Sequence, residues 1–228
     1  ISIFMVIYIG KYILKTDDQN IRLGYLIGVI LLARFFTSHL YQINHSIWNP
    51  MESLPLQLCG ISAIISSILL FRFNQFFYEF LVLLGLPGAI ISLVTPELTM
   101  GFSEFLRIEY FISHGGIILS AFYLTFVLGH RPSLGSWKKI AIASQVLLLI
   151  AHIANKWLNS VYPHAIEIDT GLPLKANYMY TVIPPHVDLP LLVWDKFYYV
   201  GFEIFGFIFL MTSYYFFTRG KSSIKELQ

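Results

Sequence analysis

Charge is scarce in this sequence. Asp, Glu, Lys and Arg together make up 12% of its 228 residues, against roughly one-quarter in a soluble globular domain, and that shortage excludes a water-soluble fold. Cysteine is scarcer still. Cys59 stands alone, so no intramolecular disulfide can brace the chain, and its stability has to come from helix packing and the bilayer. CxxC and HExxH spacings, a phosphate-binding glycine loop, internal repeats and low-complexity tracts are missing as well. The basic residues are scattered over the ends of apolar runs rather than gathered in a groove, which excludes nucleic-acid binding.

What the sequence does hold is apolar residues, 56% of the total, with a mean hydropathy of +0.67. Runs of the length needed to cross a hydrocarbon core, about 20 helical residues, fall at roughly 1 to 15, 21 to 42, 54 to 72, 76 to 95, 106 to 129, 137 to 159 and 195 to 218. The reading is an all-α, polytopic transmembrane bundle of about seven helices in a single domain, 1 to 228. The first run is short for a span and does not open on Met, so that element is expected to be truncated. A secretory signal peptide is disfavoured, because Lys11 lies inside the run and no small-residue cleavage pattern follows. TDDQN, WNPMESLP, VTPELTMG and HRPSLGS mark connections. The segment 161 to 190, with five prolines, reads as one long ordered loop at the membrane surface.

Cytoplasmic loops carry the excess of Lys and Arg. Lys15 and Arg22, Arg72, Arg131 with Lys138 and Lys139, and Arg219 with Lys221 and Lys225 fall at alternate connections. The other connections are poorer, although Arg107, Lys156 and Lys196 flank them and soften the contrast. The N-terminus is therefore expected outside and the C-terminus in the cytoplasm. The abundance of Ile, Phe, Lys and Asn is compatible with an AT-rich bacterial genome, and the expected location is a bacterial plasma membrane.

At about 1.5 Å of rise per residue, the costly polar residues fall at similar depth. Cys59 lies about five residues into the third run, near ~8 Å, with Gln57 above it, and His114 about eight residues into the fifth, near ~12 Å, with Glu109 above it. His152, Arg34 and Glu203 lie about as far from the outer ends of the sixth, second and seventh runs. An ionisable group in a span defaults to a functional-site hypothesis. Each also has a bland reading: Cys59 as a small packing residue, His114 as a hydrogen bond across a helix contact, Gly115 and Gly116 as a point of close packing, Arg34 and Glu203 as a structural ion pair, His152 as a satisfied core histidine.

Thiol plus imidazole is the minimum set for covalent acyl transfer, in which histidine takes the thiol proton and the thiolate attacks an ester carbonyl. Arg34 could activate the thiol or hold a lipid phosphate, and the depth of the layer suits phospholipid ester groups. Three other readings stay open. Cys59, His114, His152 and Glu203 are acceptable zinc ligands. Arg34, Glu203 and the histidines could line a carrier or channel, for which LGLPGA at 84 to 89 would be a helix break. A non-enzymatic assembly or lipid-binding protein is the fourth.

Four stretches resemble a known family: LPLQLC at 54 to 59, PELT at 96 to 99, FISHGGIILSAFYLTFVLGHRP at 111 to 132 and NYMY at 177 to 180. They are similar to the YwaF-like integral membrane proteins and the transmembrane protein 164 family. The resemblance implies acyl transfer, with Cys59 as nucleophile and His114 as base; it also implies a fold similar to that of the androgen-induced fatty-acid-ester hydrolases. Gln57 stands where a family histidine often falls, and Asn177 and Tyr178 match a family NY pair. The expected function is thus an acyltransferase or lipid esterase acting on membrane lipids through a Cys59 thioester. Gln57, Asn177 or Tyr178 are candidate oxyanion donors; Arg34, His152 and Glu203 complete the substrate-binding set; no metal or organic cofactor is required.

Overall fold

The computed structural model describes residues 2–14, 16–96, 103–166, 171–184 and 198–219. The PELT motif after Pro96, together with Lys15, Lys196, Lys221 and Lys225, lies outside them. Seven helices are described. Helix α1 spans Ser2–Tyr8 and closes in a π-helical turn, Ile9–Ile13; α2 spans Asp17–Asn44, α3 Leu58–Phe71, α4 Gln75–Val94, α5 Glu104–Val127, α6 Ser136–Val161 and α7 Tyr198–Thr218. Five of them, α2 and α4 to α7, are long and apolar enough to cross a membrane, so the chain is a multi-pass membrane protein. Among the described residues there is no strand, only an isolated bridge between Ile166 and Pro173 in the long loop.

The helix starts are written locally. Thr16 and Gln19 form a reciprocal capping box, each side chain accepting the other's backbone N–H at 3.3 Å. Asp17 and Asp18 add negative charge beside the positive end of α2. Asn74 accepts the Phe77 N–H at 3.1 Å and Ser103 the Leu106 N–H at 3.3 Å, opening α4 and α5. Gly135, at φ 78°, supplies the left-handed turn that feeds α6.

The expected break at LGLPGA does not occur. A π-helical turn, Leu81–Gly85, precedes Pro87, and α4 runs on through it. A proline inside a helix lacks an N–H and its ring strikes the preceding turn; widening that turn relieves the clash without ending the helix. A further π-helical turn, Tyr123–Val127, closes α5.

Helices α3, α4 and α5 form the centre, with α2 packed on α3 and α5, and α6 and α7 packed at the periphery against α4 and each other. The core between them includes Tyr78, Leu81, Leu83, Ile117, Ala121, Tyr123 and Leu124, all fully buried. Helices α2 and α5 run antiparallel. At one end Tyr41 of α2 stacks on Phe105 of α5; at the other the Tyr123 hydroxyl of α5 donates to the Asn20 carbonyl of α2 at 2.7 Å.

The end with the connections 72–74 and 128–135 is locked by Glu79, whose side chain has no exposure. One carboxylate oxygen accepts from the Ser133 N–H and the Gln75 amide, each at 2.8 Å, and the other pairs with Lys139. Tyr78 donates to the His130 carbonyl at 2.8 Å, and the His130 ring stacks on Phe73 with centroids 3.6 Å apart. The RP motif at 131–132 therefore sits in a loop fastened to the start of α4.

Candidate functional site

Helix α3 begins at Leu58, four residues later than its apolar run, because residues 54 to 57 are turn rather than helix. Its 14 residues span about 21 Å at 1.5 Å each, short of the roughly 30 Å core. Cys59 is therefore the second residue of the helix rather than five residues in. The first three N–H groups of a helix have no partner within it, which here are those of Leu58, Cys59 and Gly60. The residue at the N-cap, Gln57, makes no side-chain cap bond. A Cβ on Gly60 would stand 3.1 Å from Pro55 Cα, so the chain before α3 folds tightly over this end.

The Cys59 thiol is half-buried and lies 3.5 Å from the Ser92 hydroxyl on α4. The Ser92 carbonyl accepts from the Tyr110 hydroxyl on α5 at 2.7 Å, and the Tyr110 carbonyl stands 2.7 Å from His114 Nδ1. A carbonyl can only accept, so Nδ1 carries the proton and Nε2 keeps the lone pair that a base needs. His114 is buried, and its ring packs on Tyr110 with centroids 4.1 Å apart. Cys59 and His114 thus belong to one seam of α3, α4 and α5, linked through Ser92 and Tyr110.

Arg34 joins this seam from α2, within electrostatic range of His114. Its ion-pair partner is Glu109, with side chains 11% and 17% exposed, not Glu203 as the common depth allowed. Arg34 Nε is buried without a hydrogen-bond partner among the described residues. The two glycines after His114 divide. A Cβ on Gly116 would come within 2.4 Å of Leu31 Cδ2, whereas one on Gly115 would meet nothing within 4 Å, so only Gly116 is a point of close packing.

His152 and Glu203 lie elsewhere. Both line a cavity of about 340 Å³ between α6, α7 and the short 3₁₀ turn Tyr178–Tyr180. The Gln145 amide donates to Glu203 at 2.8 Å, and His152 Nδ1 lies 3.3 Å from the Thr181 carbonyl. The five-residue layer is therefore two groups. Among the described residues no three His, Cys, Asp or Glu side chains stand together as ligands for one ion, and the zinc site drawn from Cys59, His114, His152 and Glu203 does not assemble.

The NY pair fastens two loops over the start of α3. The Tyr178 hydroxyl donates to the Pro50 carbonyl at 2.8 Å and accepts the Leu54 N–H at 3.0 Å. Burial pushes that phenol well above its ordinary pKa, so it keeps its proton for this bond. Asn177 Oδ1 accepts from Val182 and Ile183, and its amide donates to the Ile183 carbonyl. Both donors are thus directed at backbone rather than at a ligand. Gln57 differs: its oxygen accepts the Met179 N–H at 2.7 Å, leaving its NH₂ group uncommitted among the described residues.

Sequence reasoning missed Ser92, Tyr110 and Asn155. Asn155, fully buried, accepts the Tyr178 N–H and donates to the Tyr178 carbonyl, both at 2.9 Å, and to Thr181 at 2.8 Å. Its position three residues after His152, in an apolar run, was the available signal. Asn155→Leu keeps the volume but strands both backbone groups of Tyr178, an expected loss of about 2–4 kcal/mol at roughly 1–3 per orphaned group. Thermal unfolding of the purified protein checks this; a shift no larger than that of an exposed change on the same helix, such as Ser160→Ala, would show that the loop does not depend on Asn155.

Neither a curated protein nor a solved structure matches the chain. The sequence profile of the TMEM164 family matches residues 1–214, a span that takes in all of α1 to α6, most of α7, and both groups of polar residues described above. The chain belongs to the TMEM164 family.

Proposed function

We propose that this membrane protein transfers acyl groups from a phospholipid or related acyl lipid through a thioester on Cys59. The observation that carries the reading is the place of the lone thiol at the uncapped start of α3, in one seam with a histidine whose Nδ1 is tied to a carbonyl. His114 Nε2 takes the thiol proton, and the positive end of α3 favours the thiolate that forms. The thiolate sulfur bonds to the ester carbonyl carbon. The resulting oxyanion accepts hydrogen bonds from the free N–H groups at the start of α3 and from the Gln57 NH₂, a role generally worth a few kcal/mol in the transition state.

Collapse of that intermediate breaks the ester C–O bond, and His114 returns its proton to the departing lysolipid oxygen. An acceptor hydroxyl, or water, then attacks the thioester while His114 removes its proton, and Cys59 leaves as the thiol. Ser92 orients the thiol and Tyr110 the base. Arg34, held by Glu109, supplies a fixed positive charge beside the site. The excess of Lys and Arg at the opposite end of the bundle supports a site that opens to the outer face of a cell membrane.

The test is intact mass of the purified protein after incubation with mixed phospholipids, followed by peptide mapping. The expected result is a hydroxylamine-labile increase equal to one acyl chain, located on the peptide that contains Cys59. An unmodified Cys59 under every lipid mixture, with lipid turnover nevertheless detected, would overturn the thioester.

A further inference from the structure

The cavity between α6 and α7 is not part of the Cys59 seam, and its chemistry is of one kind. Its walls include the aromatic residues Tyr180, Tyr198, Tyr199 and Phe202, and its charge is the Glu203 carboxylate; no Lys or Arg is among the described residues that line it. Tyr180 and Phe202 meet edge-on with centroids 5.9 Å apart, and Tyr198 and Tyr199 do so at 6.2 Å. Neighbouring rings set at steep angles present π faces in more than one direction. Glu203 shares one oxygen with Gln145, and the other accepts nothing from a described residue.

Glu203 stands in the second turn of a membrane-crossing helix, where a carboxylate without a counter-charge is costly. His152 contributes an acceptor as well, since the Thr181 carbonyl holds its Nδ1 as the donor. An anionic group, whether phosphate or fatty-acid carboxylate, would find no cation among the described residues that line the cavity. A cation would find a carboxylate and the negative faces of aromatic rings.

The backbone supports a built site. Met179 and Tyr180, neither of them glycine, both have φ of 54°, a left-handed conformation that persists where the surroundings impose it. Gln57 accepts the Met179 N–H, and the Tyr198 hydroxyl donates to the Tyr180 carbonyl at 2.7 Å. These two bonds hold Met179 and Tyr180 against the cavity. Its volume, about 340 Å³, lies at the small end of the roughly 300–1,000 Å³ range of ligand sites, which suits a head group and not a whole lipid.

The geometry points to a binding site for an organic ammonium group, with Glu203 as its counter-charge and the Tyr180, Tyr198, Tyr199 and Phe202 rings as its walls. The ammonium belongs either to a zwitterionic lipid head group or to a small soluble cation. This assignment stands apart from the chemistry at Cys59, because it is read by binding alone.

Tetramethylammonium chloride is the first probe, titrated into the purified full chain against sodium chloride at equal ionic strength, with thermal unfolding as the readout. Tetramethylammonium should raise the unfolding temperature of the wild type. Glu203→Gln and, separately, Phe202→Leu should each weaken its apparent affinity by about tenfold, the scale of a desolvated cation–π or charge contact. A second arm places wild type and Glu203→Gln in lipid discs of phosphatidylcholine or phosphatidylglycerol and counts retained lipids by native mass spectrometry. Selective retention of phosphatidylcholine that Glu203→Gln abolishes and tetramethylammonium displaces identifies the lipid head group. Tetramethylammonium binding with equal retention of both lipids identifies a soluble cation. Equal response of wild type and both variants to tetramethylammonium, with lipid retention unchanged, would overturn the site.

Discussion

Cys59→Ala should leave no acyl adduct, and His114→Ala should slow formation of the adduct by about 10²–10⁴-fold, the usual contribution of a positioned general base. The two variants separate nucleophile from base. Alanine at 59 removes the only thiol in the chain, so no second cysteine can substitute. Alanine at 114 leaves the thiol, its Ser92 contact and the free N–H groups of α3 in place. Adduct formation by His114→Ala should therefore recover partly as pH is raised, since hydroxide replaces the missing base, while Cys59→Ala stays inert at every pH. The measurement is single-turnover acylation followed by intact mass. If His114→Ala acylates at the wild-type rate, the imidazole serves the fold and another group takes the thiol proton.

Loss of Glu79 should be the largest effect on stability outside the candidate site. Glu79→Ala removes a fully buried carboxylate that receives the Ser133 N–H and the Gln75 amide and pairs with Lys139. Breaking a buried pair generally costs about 3–5 kcal/mol when the surviving charge stays buried. Lys139 is 44% exposed and can turn to water, so about 2–4 kcal/mol is expected here. Glu79→Gln keeps an acceptor for Ser133 and should lose less than Glu79→Ala. Unfolding temperatures in one detergent, together with protease sensitivity of the 128–135 loop, read both variants. Equal stability of wild type and Glu79→Ala would mean that the loop is held by Tyr78 and the Phe73–His130 stack alone.

The spans were legible because the bilayer demands a composition that the sequence displays openly, and the seven runs match seven helices to within a few residues. The start of α3 was not. Leu54 and Leu56 are apolar because protein partly buries them, against the cluster that contains Met51 and Tyr178, and hydropathy does not distinguish protein from lipid. Depth could be read from helical rise, whereas direction around each axis could not. Common depth suggested Glu203 as the partner for Arg34, whereas α5 lies against α2 and brings Glu109 to it. Asn177 and Tyr178 were visible as unusual loop residues, but the sequence does not show whether their hydrogen bonds serve a ligand or backbone. Ser92 and Tyr110 are ordinary polar residues in apolar runs, and their importance is entirely positional.

The π-helical turn in α4 sets a phase as well as accommodating Pro87. It carries one residue more than an α-turn, and each residue advances the helix by about 100°. Glu79, before that turn, locks one end of the bundle, and Ser92, after it, meets the Cys59 thiol at the other. The residue count between them is therefore a dimension of the site. Deleting one residue from 81 to 85 would change the hydropathy of α4 hardly at all and its length by about 1.5 Å, yet only one of the two ends could then keep its alignment. Within this family, the spacing between these two positions should tolerate substitution far better than insertion or deletion.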